Sequence, residues 1–421
     1  MPPELSASPP ELSAPGAVNE MTAVDLVRDP RAPEPAPPSG DPAEGRTTRG
    51  RSLPPGPKRW PRWVLRPILI YLASRVVTYA ALGVATTFSH KSLWGEIDLW
   101  DSRWFIRAAS HGWPSHLPTF HGHPAANTTA FFPLFPLSFR WLSEITGVSL
   151  LTAGAIVSGL TGMTAMIAVW ALVRHYAGAR GADRATLLLA VFPGAFVFSL
   201  VYSEGMTITF IAFGLLALLR RRWLVAGILG LLATATSPVA VAFAVSCAWC
   251  AYREIRRHGN WRAVVAPLLA PLGFFGYLGW LAWHSGGITA WTQTERYGWH
   301  SYASLLYPVH LVVTFLRDPV AQTLTDHILV AGIVVVVICA TVAIRDRMPV
   351  PILLYGLIAA FISVVTAPVG LRPRFILLAF PLVLAIGTRL RGRSYGAVLL
   401  LSTGLLVTLT IYTVASYKVF P

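Results

Sequence analysis

The chain has 421 residues, 54% of them hydrophobic and 13% charged, where soluble domains carry ~25% charged residues. That balance excludes an ordinary soluble enzyme and a disordered or fibrous chain. A formal charge of +15 can mark a nucleic-acid partner, but in so apolar a chain it marks the cytoplasmic loops of a membrane protein, and no nucleic acid is expected. Three cysteines exclude a disulfide scaffold. Cys247 and Cys250 have CxxC spacing but lie in the apolar run 239–252, so they read as packing.

Residues 1–60 hold 14 of the 33 prolines and a direct repeat, PPELSA at 2–7 and 9–14. Without apolar periodicity the segment cannot offset its ordering entropy, and it is expected to be a disordered cytoplasmic tail. It has no apolar core of a signal peptide, and Met21 offers a second start that would delete the repeat. Residues 61–421 form the second domain, an all-α polytopic membrane body. A spanning helix needs ~20 apolar residues, and about eleven candidates occur. They are 67–87, 150–172, 185–201, 205–219, 223–236, 238–252, 263–283, 327–344, 350–368, 374–388 and 396–417. The pair 223–252 is divided at Thr236-Ser237-Pro238, because proline restricts the residue before it and cannot continue a helical ladder.

Charge orients the spans. With the N-terminus cytoplasmic, 17 of the 27 Lys and Arg of the body fall inside, from Arg62 and Arg66 to Arg389, Arg391 and Arg393, as the positive-inside rule requires. Pro421 then lies outside, as do eight of the body's 11 acids and two long segments, 88–149 and 284–326. Long loops tend to carry function, so the chemistry is expected to face away from the cytoplasm.

The first of these loops places Glu96, Asp98 and Asp101 within six residues, beside Trp94, Trp100, Trp104 and Phe105. If the stretch is helical, Asp98 and Asp101 share a face. Carboxylates in an apolar, partly dry site suit general-base work; a solvated loop with interfacial aromatics also fits. His116, His121 and His123 match no metal-binding spacing, and a wet loop fits them better. Asn127-Thr128-Thr129 has the form of a glycosylation acceptor. Phe131-Phe132-Pro133-Leu134-Phe135-Pro136 is a stiff apolar wedge that suits either an opening for a lipid tail or an interfacial anchor.

Other polar groups stand at the outer ends of apolar runs. Glu204, in Tyr202-Ser203-Glu204, reaches either headgroup water or the bundle interior. Arg372 and Arg374 flank Pro373, and arginine forks match phosphate oxygens. Arg75 lies within the first span, where it either snorkels or meets a buried phosphate or carboxylate. His284, Glu295, Arg296, Tyr297 and His300 lie among Trp283, Trp291 and Trp299, a mixture that suits stacking on sugars or a headgroup belt.

These residues fall into a known order. Trp100-Asp101-Ser102-Arg103-Trp104-Phe105, continuing to His111-Gly112-Trp113, resembles the "W-D-x-x-[FWY]-[FY]-x-x-I-A-x-x-G-Y" signature of the PIG-V family, polytopic mannosyltransferases of the GT-C class. Ala130-Phe131-Phe132-Pro133-Leu134-Phe135-Pro136 is similar to its "A-F-F-P-x-x-P", and Tyr202-Ser203-Glu204 to its "Y-S-E-S". Pro373-Arg374-Phe375 with Ala379-Phe380-Pro381 is similar to its late "P-R-F-x-x-P-x-F-P". Thr236-Ser237-Pro238 departs from the family, whose members often have an arginine there, and Trp113 to Ala130 holds no acid where eukaryotic members carry a glutamate.

The resemblance implies a GT-C-like fold with a long first extracytoplasmic loop. It implies inverting transfer of mannose from a polyprenyl-phosphate-linked donor in the bilayer to a glycan or glycolipid acceptor. Asp101 matches the family's catalytic acid residue for residue, with Asp98 and Glu96 as further candidates. Arg374, Arg372, Glu204, Trp100, Arg103, Arg75, Phe132 and Pro133 are the expected substrate contacts. A lipid-phosphate donor allows a divalent metal without requiring one, so metal and cofactor stay open. A flippase for a lipid-linked sugar, or a GT-C enzyme using another sugar such as arabinose, are the competing readings.

Overall fold

A computed structural model describes residues 63–89 and 92–416. The proline-rich segment 1–60, Arg62 and Pro421 lie outside the described residues. The body is almost wholly helical. In chain order, α1 (Leu65–Ser89) is followed by the first long loop, which contains α2 (Leu93–Ile97), α3 (Asp101–His111), β1 (Thr119–Phe120), β2 (His123–Pro124) and α4 (Leu134–Thr146). Next comes α5 (Leu150–Ala190), broken at Gly178 where φ is +74°. A 3-10 segment, Pro193–Ser199, leads to α6 (Glu204–Leu219), α7 (Trp223–Thr234), α8 (Ala242–His258), α9 (Val265–Leu269) and α10 (Leu272–His284). The second long loop holds α11 (Ala290–Gln293), a π-helical turn Thr294–Gly298, β3 (Tyr302–Ala303) and α12 (Tyr307–Arg317). The chain continues as α13 (Leu324–Arg345), α14 (Val350–Val365), β4 (Thr366–Ala367), α15 (Pro373–Leu378), α16 (Phe380–Arg389) and α17 (Gly392–Ser416).

This is a multi-pass membrane protein. Among the described residues, α1, α5, α13 and α17 are each long and apolar enough to cross a bilayer. Two bent pairs pass the same test together: Pro193–Ser199 with α6, at 108°, and Trp261–Leu269 with α10, at 44°. Shorter apolar helices α7, α14 and α16 complete the bundle. The expected run 185–201 is not one helix: Pro193 has no N–H to continue the ladder, and the chain tightens and turns there. The chain also leaves the helix at Ala235–Ser237 and resumes as a 3-10 turn at Pro238.

Helices pack through small residues, as membrane helices do when backbones must approach closely. A side chain at Gly205 of α6 would lie 2.7 Å from the backbone nitrogen of Gly162 in α5. The core of this bundle includes Trp170, Phe196, Phe198, Tyr355 and Phe380.

The two ends of the bundle differ in charge. At one end lie the ion pairs Arg66–Asp183 (2.9 Å), Arg221–Glu254 (3.6 Å) and Arg389–Asp346 (2.5 Å). Arg184 caps the carbonyls of Gly387 and Thr388 there (both 3.2 Å). Glu204 opens α6 at the other end. The 16 residues of α6 separate it from Arg220 by about 24 Å at ~1.5 Å per residue.

The second long loop is fastened to the first. Asn127 Nδ2 donates to Thr294 Oγ1 (3.1 Å), and Thr129 Oγ1 shares a hydrogen bond with the same hydroxyl (2.8 Å). Trp299 packs edge-on against Trp104 of α3, with centroids 4.9 Å apart. Asn127 Oδ1 also caps the Thr129 amide. Its side chain is therefore a buried joint between loops, and the acceptor form Asn127-Thr128-Thr129 serves packing.

Candidate active site at one end of the bundle

The site begins with a strained residue. Trp100, between α2 and α3, has φ +55°, a region L-residues enter only when their surroundings enforce it. Its ring packs by Leu82, Ala85, Leu99 and Val414. This turn starts α3 at Asp101, so Asp98 and Asp101 do not share a helical face. Asp98 lies in the break and pairs with Arg103, whose Nε is 3.7 Å from its carboxylate. Both are exposed. Glu96 is buried and accepts a hydrogen bond from Ser89 Oγ at the end of α1.

Asp101 instead meets Arg374, 273 residues away in sequence, in an ion pair through the guanidinium Nη1. Their side chains are 25% and 13% exposed, so the pair is partly shielded from water. The Arg374 guanidinium lies over the rings of Phe375 (4.6 Å) and Tyr202 (5.4 Å), as desolvated cations favour. Tyr202 Oη accepts from the Asp101 amide at 3.3 Å. One phenol thus touches both members of the pair. In the sequence Tyr202 stands only within the motif Tyr202-Ser203-Glu204; its contact with Asp101 depends on tertiary folding.

Among the described residues, Arg374 Nε and Glu204 Oε2 are buried polar atoms without a hydrogen-bond partner. Buried polar atoms are normally paired; here an unmet donor and an unmet acceptor lie beside one ion pair. Glu204 points into the bundle and is 6% exposed, which decides between the two sequence readings of this residue. Arg372 is half-buried next to the pair, and burial, with Arg374's like charge, pushes its guanidinium down to about 10.

The second long loop adds Glu295, which the sequence places only within a mixture suited to stacking on sugars or to a headgroup belt. Glu295 lies in the π-helical turn Thr294–Gly298, a distortion often found at functional sites. Burial pushes its carboxyl up to about 7, opposed by a hydrogen bond from Ser301 and reinforced by the charge of Asp101. Trp299, four residues further on in the same loop, packs against Trp104 of α3, a contact that no local signal encodes.

Other expected contacts lie elsewhere. Arg75 is 5% exposed and donates to backbone carbonyls rather than meeting Asp101 or Glu204. Phe131 faces α3, stacking with Trp104 and meeting Phe105 edge-on (6.2 and 4.9 Å). Phe132 faces the other way, against Phe274 and Tyr277 (5.7 and 4.7 Å). Beyond it, Pro133 helps Trp113, Tyr277 and Trp280 line an apolar cavity of about 480 Å³. Among the described residues, no three His, Cys, Asp or Glu side chains are grouped to hold a metal ion. His121 is in the hairpin turn, and His123 stacks on Tyr297 (4.6 Å).

No protein-family model and no curated protein matches this sequence. The likenesses are to solved structures. One is ArnT from Cupriavidus metallidurans in the apo state, at 16% identity over 80% of this chain, with a TM-score of 0.48. The same protein bound to undecaprenyl phosphate gives 16% identity over 80% of this chain and a TM-score of 0.47. This chain spans 62% of the ArnT chain in both. A third is the archaeal oligosaccharyltransferase AglB from Archaeoglobus fulgidus, in complex with an inhibitory peptide and a dolichol-phosphate. It has 14% identity over 81% of this chain and 56% of that one, with a TM-score of 0.40.

Proposed function

We propose that this protein is a membrane glycosyltransferase of the GT-C type. It moves a sugar, mannose by its PIG-V-like motifs, from a polyprenyl-phosphate donor to a hydroxyl of a glycan or glycolipid acceptor. The observation that carries the reading is the Asp101–Arg374 pair. The two residues belong to two of the motifs that resemble the family, and they meet at the end of the bundle opposite the arginine-rich end. That end is the extracytoplasmic one in this reading, with the N-terminus in the cytoplasm.

The chemistry follows from the charges. Arg374 offers a free Nε–H edge, and Arg372 adds a second positive charge beside it. The donor phosphate binds across this edge and shares the guanidinium with Asp101. The carboxylate is then free to accept a hydrogen bond from the acceptor hydroxyl. The acceptor oxygen attacks the anomeric carbon, and its proton passes to Asp101. The bond from that carbon to the phosphate oxygen breaks, and its electron pair leaves on the phosphate, facing the two arginines. Attack opposite to the leaving phosphate inverts the anomeric centre. Positioning and acid–base catalysis supply the rate. A divalent metal is neither required by this step nor assigned a ligand set here.

The test is transfer of mannose from polyprenyl-phosphate mannose in membranes containing the full chain. The reading expects incorporation into a lipid or glycan acceptor. Export of an intact lipid-linked sugar without transfer would instead make the protein a flippase.

A further inference from the structure

The bent segment between α5 and α6 passes directly behind Arg374. At Gly194 its backbone lies so close to Pro373 and Arg374 that an added side-chain carbon would stand 2.8 Å from the Arg374 nitrogen and nearer still to the Pro373 carbonyl. A 3-10 turn inside an apolar bundle leaves carbonyls that its own backbone does not pair, and buried carbonyls need donors.

Arg75 supplies them. Its Nη1 donates to Ala195 O (2.9 Å) and Ser199 Oγ (2.8 Å), and its Nη2 to Ala190 O (3.3 Å). Its Nε reaches Ser74 Oγ (3.3 Å). The rings of Tyr71 and Phe198 flank the guanidinium at 5.2 and 5.6 Å. The partners are carbonyls and hydroxyls, not a carboxylate. A buried cation held this way is costly unless its hydrogen bonds are met, and here one arginine gathers both ends of the 190–199 segment.

We propose that Arg75, acting through the Pro193–Ser199 segment, is a positioning residue that sets Arg374 for the donor phosphate; this rests on reading Arg374 as the phosphate-binding group. Arg75 fixes the segment, Gly194 seats the Pro373–Arg374 backbone, and that backbone aims the guanidinium at Asp101. The seat tolerates no Cβ, so the spacing between the segment and α15 is set by glycine.

The experiment is a double-mutant cycle in the full-length protein in membranes. The variants are Gly194→Ala, Ser199→Ala and Arg75→Gln, each made with Arg374 intact and with Arg374→Ala, and the readout is KM for polyprenyl-phosphate mannose against kcat. With Arg374 intact, Gly194→Ala and Arg75→Gln are expected to raise donor KM roughly tenfold with kcat within about twofold, and Ser199→Ala roughly threefold. In the Arg374→Ala background the same changes are expected to move KM less than about twofold, because the group they misplace is already absent. If Arg75→Gln fails to accumulate, Gly194→Ala and Ser199→Ala carry the test. An equal effect in both backgrounds, or a loss confined to kcat and protein level, overturns the positioning role. If Arg374→Ala alone leaves donor KM unchanged, the phosphate reading fails and the inference falls with it. If Arg374→Ala raises KM but Gly194→Ala does not, the inference alone fails.

Discussion

Arg374→Lys separates phosphate recognition from charge. In the structure Arg374 pairs with Asp101 through Nη1, covers two rings and keeps Nε–H unpaired. Lysine retains the charge and can still neutralise Asp101. It lacks the second donor edge that a phosphate would use while the first stays near the carboxylate. Losing one hydrogen bond to a charged group costs ~1.5–3 kcal/mol, which is about 10- to 100-fold in donor affinity at ~1.4 kcal/mol per tenfold. Turnover at saturating donor should fall much less. Arg374→Ala should add a drop in kcat, because Asp101 and Glu204 lose their nearest cation. The assay is initial transfer rate in membranes against polyprenyl-phosphate mannose, normalised to protein level. A donor KM for Arg374→Ala within twofold of the wild type would refute phosphate recognition at this position.

The carboxyl of Glu295, raised to about 7 from 4.5, makes stability depend on pH. Its proton is held more tightly in the fold than in the unfolded chain, so its contribution is full below about 4.5 and is lost as pH rises to about 7. Thermal unfolding in detergent should show a Tm that falls between pH 5 and pH 7, and Glu295→Gln should flatten that fall; an equally steep variant would count against it. Reporter fusions at Arg180, Arg221, Arg257 and Arg391 should read as cytoplasmic and one at Ser115 as outside, whereas a cytoplasmic Ser115 would move the site to the wrong face. Deleting 2–58, a proline-rich and repeat-bearing stretch, should leave transfer intact, and lost activity at normal protein level would assign the segment a role.

Much of the fold was legible because the bilayer simplifies the code. Long apolar runs become helices, and one end of the bundle is richer in arginine-bearing ion pairs, such as Arg66–Asp183, Arg221–Glu254 and Arg389–Asp346. Local breakers are partly readable: Pro238 marks the gap between α7 and α8, but the apolar run 185–201 masks Pro193, where the helix ends. Asp101, Arg374 and Glu204 were legible as site candidates through their motifs and their positions at the ends of apolar runs. Their juxtaposition was not, since it joins residues 273 apart through packing rather than pattern. Helical spacing puts Asp98 beside Asp101, but Trp100, at φ +55°, breaks the helix between them, a local strain that spacing does not show. An arginine in a span needs a partner, which makes Arg75 look like a substrate contact in the sequence. The partner is a bent backbone, which no spacing reveals. Glu295 is named by the sequence among the aromatics of the second loop, but the docking of that loop through Trp299 and Thr294 is a tertiary fact.

Mannosyl transfer by the Asp101→Asn variant tests the central claim most directly. Asparagine keeps the size and polarity of the side chain at a partly exposed position, so folding and insertion should be preserved. It cannot take the acceptor's proton, and general-base assistance is worth ~10²–10⁴-fold. Transfer from polyprenyl-phosphate mannose in membranes, normalised to protein level and run beside Asp98→Asn and Glu96→Gln, should fall by roughly that factor for Asp101→Asn. The two comparison variants should lose far less, because Asp98 pairs with Arg103 and Glu96 is bonded to Ser89. Near-full transfer by Asp101→Asn, with activity abolished by Asp98→Asn, would move the base to the neighbouring acid. Near-full transfer by both would contradict a catalytic role for the first loop.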